Sequence, residues 1–210
     1  MRFRLRYGVD MPTTGRRERK KAQTRRALSE AALRLFCEHG YDGVTVAQIA
    51  DEADVSIATL FAHVPDGKEA LIFDDGAERP VWLAAAVRDR PPGQSVLQSL
   101  RRCMAARGPF TNDLPPELRR KRDLIVSTPA LREYSRKLWI AGEGTLAEAI
   151  ATESGRAPSD MTVRALARYV LEIPGLAGTE PDPLAALNAV FDLLESGWPE
   201  SPEEVTDRPG

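Results

Sequence analysis

The stretch DVSIATLFAHV, residues 54–64, is the most informative part of this chain. It contains Ser56, a residue type that caps helices, followed by small and apolar residues up to His63. This composition is too polar for a core helix and too apolar for a helix that faces only water. The stretch therefore predicts a short helix whose outer side contacts something other than solvent.

Two more helices are predicted before this stretch. The first carries an apolar stripe at helical spacing and ends before Gly40, a residue suited to terminate a helix. The stripe consists of Leu28, Ala31, Ala32, Leu35 and Phe36. Thr45 can cap a second, short helix, with Ile49 facing inward. Two short helices joined by a tight turn form a helix-turn-helix, whose second helix usually enters the major groove of DNA.

Positive charge is concentrated at the start of the chain, although the net charge of the 210 residues is −2. Between Thr14 and Ser29, Glu18 is the single acidic residue. The basic residues of that segment are Arg16, Arg17, Arg19, Lys20, Lys21, Arg25 and Arg26. Such a run fits either a nucleic-acid contact or a solvated surface, and the charge alone leaves both open.

The segment from Thr24 to Phe73 resembles the DNA-binding region of TetR/AcrR-type bacterial repressors. Their pattern runs roughly as AALxLFxxxGYxxxTVxxIAxxAGVSxGTLYxHFxxKExL, and this chain reads AALRLFCEHGYDGVTVAQIADEADVSIATLFAHVPDGKEAL. The resemblance implies an all-α fold with an N-terminal three-helix head and a C-terminal helical body. It also implies a transcriptional regulator without enzymatic activity or cofactor, most simply a repressor released from a palindromic operator by a small hydrophobic molecule.

The resemblance carries site residues onto this chain. The residues expected to contact double-stranded DNA are Arg16, Arg17, Lys20, Lys21, Thr45, Gln48, Ser56, Ile57, Ala58, Thr59, Phe61, Ala62, His63 and Lys68. Thr59 and Lys68 would contact phosphates, whereas Ile57 and Ala62 would make apolar contacts with base edges. Core packing and DNA contact remain equal alternatives for Phe61 and Val64.

The helix-turn-helix departs from the family pattern at several positions, including Val64 in place of an aromatic residue, and two of the departures bear directly on the turn and on DNA contact. Asp54 replaces the glycine of the turn, and Asp tolerates a left-handed conformation better than most residues. Phe61 replaces the usual tyrosine, so a phosphate hydrogen bond from a hydroxyl group cannot form there. Neither change removes the fold, but the second should weaken the grip on the DNA backbone.

The remainder of the chain reads as amphipathic helices. We expect helices over about 68–88, 95–107 and 116–126, and then a long one from Pro129 to about Thr152. Ser159 would cap the next helix, which stops near Pro174, and a last helix would run from Pro183 to about Trp198. The expected divisions are an extension over 1–15, the head over 16–67, a ligand-binding and dimerisation body over 68–198, and a disordered tail over 199–210.

The resemblance implies a homodimer formed by the last two long helices, and an effector pocket in the body. The apolar stripe expected at the dimer interface is Leu184, Leu187, Val190, Phe191 and Leu194. An intramolecular core explains this stripe equally well, but a protein that reads two half-sites needs a two-fold partner. The residues expected to line the pocket, or else to belong to the core, are Trp82, Met104, Phe110, Tyr134 and Trp139.

Other classes of protein receive little support from the sequence. The apolar runs are shorter than the roughly 20 residues of a membrane span, and no secretory signal is evident, so a cytoplasmic protein is expected. Cys37 and Cys103 lack metal-site spacing, and burial as inert thiols is expected for both. The main alternative is a helical small-molecule-binding protein or enzyme in which the head has only a structural role. The basic run and the lack of an acid–base or nucleophile cluster argue against that alternative.

Overall fold

The structure is a computed structural model that describes residues 15–73, 78–111 and 114–197. The regular elements of these residues are all helical, which confirms the predicted all-α class. The chain divides into two compact units, of which the head extends through Leu71 and the body begins at Ile72. The expected tail, and the expected extension apart from Gly15, lie outside the described residues.

Three α-helices form the head: α1 (Arg16–His39), α2 (Val46–Glu52) and α3 (Ile57–His63). Burial of one face of each helix holds them together, and this face includes Leu28 and Phe36 of α1, Ile49 of α2 and Leu60 of α3. Gly40 ends α1 as predicted, with φ of 75° and its N–H donating to the carbonyl oxygen of Phe36.

Local side-chain bonds set the starts of the two short helices. Thr45 and Gln48 form a capping box at α2, and the Ser56 hydroxyl accepts from the N–H of Thr59 at α3. Both caps were predicted from the sequence. Between the helices Asp54 adopts φ of 53°, the left-handed conformation that the family pattern assigns to glycine. The helix-turn-helix is therefore built with its unusual turn residue.

The helix expected over 68–88 is not continuous. Lys68–Leu71 forms a single 3-10 turn, and α4 (Glu78–Arg88) begins later, after a segment outside the described residues. The Lys68 ammonium group donates to the carbonyl oxygens of Tyr41 and Val44, each at 2.8 Å. These bonds tie the turn to the loop between α1 and α2, so tertiary contacts prevail over helix propensity here.

The body contains the remaining helices: α4, α5 (Val96–Ala105), α6 (Pro116–Ser127), α7 (Pro129–Ile140), α8 (Glu143–Ser154), α9 (Met161–Ala177) and α10 (Pro183–Ser196). Their apolar faces meet in one core. Completely buried side chains come from α4, α5, α8 and α10, namely Leu83, Leu100, Leu146, Leu187 and Phe191.

Two of the helices predicted in the body have different boundaries. The long helix expected from Pro129 divides into α7 and α8 at Gly142, where a Cβ atom would lie 2.7 Å from the Cβ of Pro80. The close approach of α4 therefore requires glycine at the break. Asp160, rather than Ser159, caps α9, and that helix continues through Pro174 to Ala177. Asp182 and Pro183 open α10 as predicted.

The apolar stripe of α10 belongs to the core of the body. Leu187 and Phe191 are completely buried, and Leu184, Val190 and Leu194 pack half-buried against the same core. A side chain that is fully enclosed within one protomer has no surface left for a partner, so assigning Leu187 and Phe191 to a dimer interface was wrong. The predicted burial of Cys37 was also wrong, since this thiol is exposed on α1.

Candidate nucleic-acid interface

The outer face of α3 is apolar and exposed. Ile57 and Phe61 leave 46% and 48% of their surface open, and Ala58 and Ala62 beside them are exposed too. Leu60 points into the head and is 1% exposed, as predicted. Phe61 is therefore not a core residue, which decides between its two alternatives in favour of an outward position.

Val64, in contrast to Phe61, is a core residue. It is 1% exposed and belongs to the head core, although its sequence position next to His63 left a DNA contact open. Its backbone N–H donates to the carbonyl oxygen of Leu60 and completes the last turn of α3. A residue this deeply buried supports the helix from behind.

Polar side chains lie at the starts of both short helices. The hydroxyl oxygens of Ser56 and Thr59 lie 2.8 Å apart, so one donates to the other. At α2, the backbone N–H of Thr45 donates to Oε1 of Gln48, and both side chains are exposed. These hydroxyl and amide groups are held in place by local bonds and remain open to solvent on their outer sides.

The cations of the basic run differ in their exposure to solvent. Those at the start of α1 lie on helical turns and are exposed, and they are Arg16, Arg17, Arg19, Lys20 and Lys21. Arg25 is half-buried, and its guanidinium group donates to the carbonyl oxygens of His63 and Ala70. The first set is open to solvent, whereas Arg25 braces the end of α3.

The structure gives Lys68 and His63 structural roles as well. Beyond its two carbonyl acceptors, the Lys68 ammonium group lies 4.0 Å from the centre of the Tyr41 ring. Most of its interaction capacity is thus satisfied inside the head. The carbonyl group of His63, rather than its imidazole, fixes the end of α3 through Arg25.

The body contains a cavity of about 310 Å³, which we call the larger cavity. Its apolar walls come mainly from α6 and α7, including Leu118, Ile125 and Trp139. The cations that line it are Arg79, Lys121, Arg122, Arg132 and Arg136. None of the described residues lining it is acidic. Hydrophobic walls with a few polar groups are typical of small-molecule sites of this size.

A smaller cavity of about 180 Å³ shares Arg79, Gly108, Pro109 and Trp139 with the larger one. Trp82, Met104, Phe110 and Trp139, which the sequence suggested for a pocket, line this smaller cavity. The rings of Trp82 and Trp139 meet edge to face, with centroids 5.7 Å apart. Tyr134 lines neither cavity and packs against the ring of Phe73.

A chain of ion pairs links three helices beside the larger cavity. Arg136 of α7 donates to both carboxylate oxygens of Glu172 of α9, at 2.8 and 2.7 Å. Arg168 donates to Glu172 at 3.1 Å and to Glu143 of α8 at 3.0 Å. These cations, Arg136 foremost, lower the pKa of the Glu172 carboxyl group. The helical i,i+4 spacing of Arg168 and Glu172 is the only part that the sequence could have indicated.

Two further features concern alternative functions. Within the described residues, no three His, Cys, Asp or Glu side chains are grouped as metal ligands would be. The helices of this part of the chain are all too short or too polar to cross a membrane.

Comparison with known proteins finds a family match in each of the two units. The family described as "Bacterial regulatory proteins, tetR family" matches residues 28–74, and the "MftR C-terminal domain" matches residues 94–199. MftR of Mycobacterium tuberculosis, a transcriptional regulator named for mycofactocin biosynthesis, is 25% identical over 193 residues, which are 89% of this chain and 97% of MftR. The HTH-type transcriptional regulator TcmR of Streptomyces glaucescens is 37% identical over 99 residues, 44% of this chain and 43% of TcmR.

A solved structure shares the fold. FadR of Thermus thermophilus, a TetR-family transcriptional repressor crystallised with lauroyl-CoA, superposes with a TM-score of 0.56 at 23% identity, covering 89% of this chain and 99% of FadR. Known members of this family are regulators, which decides against an enzyme with a merely structural head. The chain belongs to the tetR family of bacterial regulatory proteins and is a DNA-binding transcriptional regulator.

Proposed function

We propose that this protein is a repressor that binds a palindromic operator as a homodimer and leaves it when a small hydrophobic molecule occupies the body. The observation that carries the proposal is the exposed apolar face of α3, formed by Ile57, Ala58, Phe61 and Ala62. Two large apolar side chains exposed one turn apart on a short helix, with two alanines beside them, form a patch that a partner can cover. Thymine methyl groups in the major groove are suitable partners.

The polar contacts divide into two groups. Ser56 and Thr59 lie at the start of α3, and Thr45 and Gln48 lie at the start of α2; these groups would bond to phosphates or base edges. The cations at the start of α1 would supply the attraction to the DNA backbone that does not depend on sequence. The remaining candidates, Lys68 and His63, would act indirectly by holding the head together.

The dimer would form through the outward sides of α9 and α10. Tyr169 and Leu176 of α9 are 61% and 62% exposed, and they lie seven residues apart on one side of the helix. Leu193 of α10 is 39% exposed, and Ala189 is exposed one turn before it. This surface replaces the buried stripe that the sequence suggested. A two-fold arrangement would place two heads against two half-sites.

The effector would occupy the larger cavity and would act in the cytoplasm, where the operator is. Its apolar walls suit a hydrophobic molecule, and the related FadR was crystallised with lauroyl-CoA. To release DNA, such a molecule must bind the form without DNA more tightly than the bound form. Coupling energies of about 1–3 kcal/mol would weaken operator binding about 5- to 150-fold.

Selection of duplexes from a random pool tests the proposal. The purified protein should enrich an inverted repeat, and two protomers should bind each selected duplex in analytical ultracentrifugation. The variant Ala62→Glu, with its charge on the exposed face of α3, should enrich nothing. Enrichment of a single unrepeated half-site by a monomer, or the same sequences from Ala62→Glu, would refute the assignment.

A further inference from the structure

We propose that the larger cavity binds an amphipathic carboxylate, and that the acid group of this ligand replaces Glu172 on the guanidinium group of Arg136. The inference rests on the proposed function, because it assumes that the cavity is the effector site. It specifies the chemical class of the ligand and the ion pair that the ligand changes.

The distribution of charge in the cavity indicates an anion. Helix α6 contributes Lys121 and Arg122 to the lining, and α7 contributes Arg132 and Arg136, one turn apart. Arg79 of α4 adds a fifth cation. Arg122 and Arg136 pair with Asp123 and Glu172, but neither carboxylate lines the cavity, so the described part of the lining presents only positive charge to a ligand. The apolar side chains between these cations would enclose the tail of the ligand.

Arg136 is the cation already arranged for a carboxylate. Its Nε and Nη2 atoms donate to separate oxygens of Glu172, which is the parallel two-bond geometry that a guanidinium group forms with carboxylates. A ligand carboxylate has the same shape and charge as the Glu172 side chain. It can therefore accept from the same two N–H groups once Glu172 releases them.

Glu172 would not lose its charge compensation in this exchange. Its oxygen Oε1 also accepts from Arg168 at 3.1 Å, and Arg168 is in turn held by Glu143. An uncompensated buried carboxylate would make the exchange unfavourable, but the second arginine prevents that state. The ligand would thus exchange the α7–α9 ion pair for a pair between itself and α7. Helix α9 also carries Tyr169 and Leu176, so the exchange alters the support of the proposed dimer surface.

Three probes with the same twelve-carbon tail test the inference: laurate, dodecanol and dodecyltrimethylammonium, each below its micelle concentration. Binding is measured by calorimetry and by the fluorescence of the tryptophans, since Trp139 lines the cavity. Laurate should bind about tenfold or more tightly than dodecanol, because a charge-assisted hydrogen bond favours the anion by that factor. The cationic probe should bind most weakly.

Two variants separate exchange from simple attraction. Arg136→Gln should remove the advantage of laurate and leave dodecanol binding unchanged, while Glu172→Gln should tighten laurate binding several-fold by freeing Arg136. Arg120→Gln is the matched control, since Arg120 is an exposed cation of α6 that does not line the cavity. Thermal unfolding confirms that each variant is folded.

The outcomes distinguish the inference from the function on which it rests. Dodecanol or the cationic probe binding as tightly as laurate would overturn the carboxylate class and leave the cavity as an effector site. Unchanged laurate affinity in a folded Glu172→Gln protein would overturn the exchange. If none of the three probes binds, the proposed effector role of the cavity itself fails, together with the inference.

Discussion

Arg25 and His63 are 38 residues apart in sequence, and Nη1 of Arg25 donates to the carbonyl oxygen of His63 at 2.8 Å. This bond places a cation at the C-terminal end of α3, where unsatisfied carbonyl groups and the helix dipole both favour positive charge. The same guanidinium group donates to Ala70 at 2.6 Å. One residue of the basic run therefore holds α3 on α1.

Replacing Arg25 by alanine should destabilise the head. The change removes two charge-assisted bonds to backbone carbonyls, and we expect the free energy of unfolding to fall by about 2–3 kcal/mol. Arg26→Ala is the control, because Arg26 forms an exposed i,i+4 pair with Glu30 and should cost no more than about 0.5 kcal/mol. Urea unfolding followed by circular dichroism measures both. Equal losses of unfolding free energy in the two variants would mean that the Arg25 bonds stabilise the head no more than an exposed ion pair does.

Ala62→Glu should abolish operator binding without affecting the fold. Ala62 is exposed on α3, so the carboxylate has room in the free protein, but it would face DNA phosphates in the complex. The control Ala130→Glu adds the same charge at an exposed position of α7. In gel-shift titration, Ala62→Glu should lose at least about a hundredfold more operator affinity than Ala130→Glu. A charge of the same sign placed against the phosphates costs several kcal/mol of binding free energy, which corresponds to a factor of about this size. Operator affinity in Ala62→Glu equal to that of the control would remove α3 from the interface.

The exposed cations at the start of α1 should determine part of the salt dependence of DNA binding. Each of Lys20→Gln and Lys21→Gln should reduce the slope of log affinity against log salt by about 0.9, if that residue neutralises one phosphate. Deleting residues 1–10 should leave the affinity nearly unchanged, whereas deleting through Lys21 should remove much of it. Fluorescence anisotropy at several salt concentrations provides the slopes. Identical slopes in the wild type and both variants would show that these residues form only a solvated surface.

Lys68 should affect the stability of the head, unlike the exposed cations at the start of α1. Because its ammonium group donates to the carbonyl oxygens of Tyr41 and Val44, Lys68→Met should lower the thermal stability of the head. The loss of two bonds to a charged donor corresponds to about 2–3 kcal/mol. Operator affinity should recover at low temperature, with the salt slope of the wild type. If Lys68→Met instead has normal stability and a reduced salt slope of DNA binding, Lys68 contacts a phosphate, as the sequence suggested.

Substitutions at Leu193 and Phe191 should distinguish loss of dimerisation from loss of folding stability. Leu193→Glu places a charge on the proposed dimer surface and should yield folded monomers in light scattering. Phe191 is completely buried, so Phe191→Ala should instead cost about 3–5 kcal/mol of stability through the cavity that it leaves. Val81→Glu is the control for surface charge, since Val81 is an exposed residue of α4. Dimers of normal affinity in Leu193→Glu would exclude this surface of α10.

The sequence alone determined the fold class and the local architecture of the head. Helical periodicity, the cap residues Thr45 and Ser56, and the terminal Gly40 act over a few residues, so they can be read without knowledge of distant contacts. The same local signals indicated which helix faces outward. The family pattern then supplied the role of that helix, because its residues occur at fixed spacing.

Tertiary structure alone decided which side chains those helices expose or bury against one another. Phe61 and Val64 have similar apolar character, yet one is exposed and the other is buried, since the direction of each depends on where α3 meets the rest of the head. Arg25 and Arg136 look like any surface arginines until their partners, 38 and 36 residues away, are brought beside them. Long-range packing sets these outcomes, and periodicity within one helix carries no information about the surface that another helix covers.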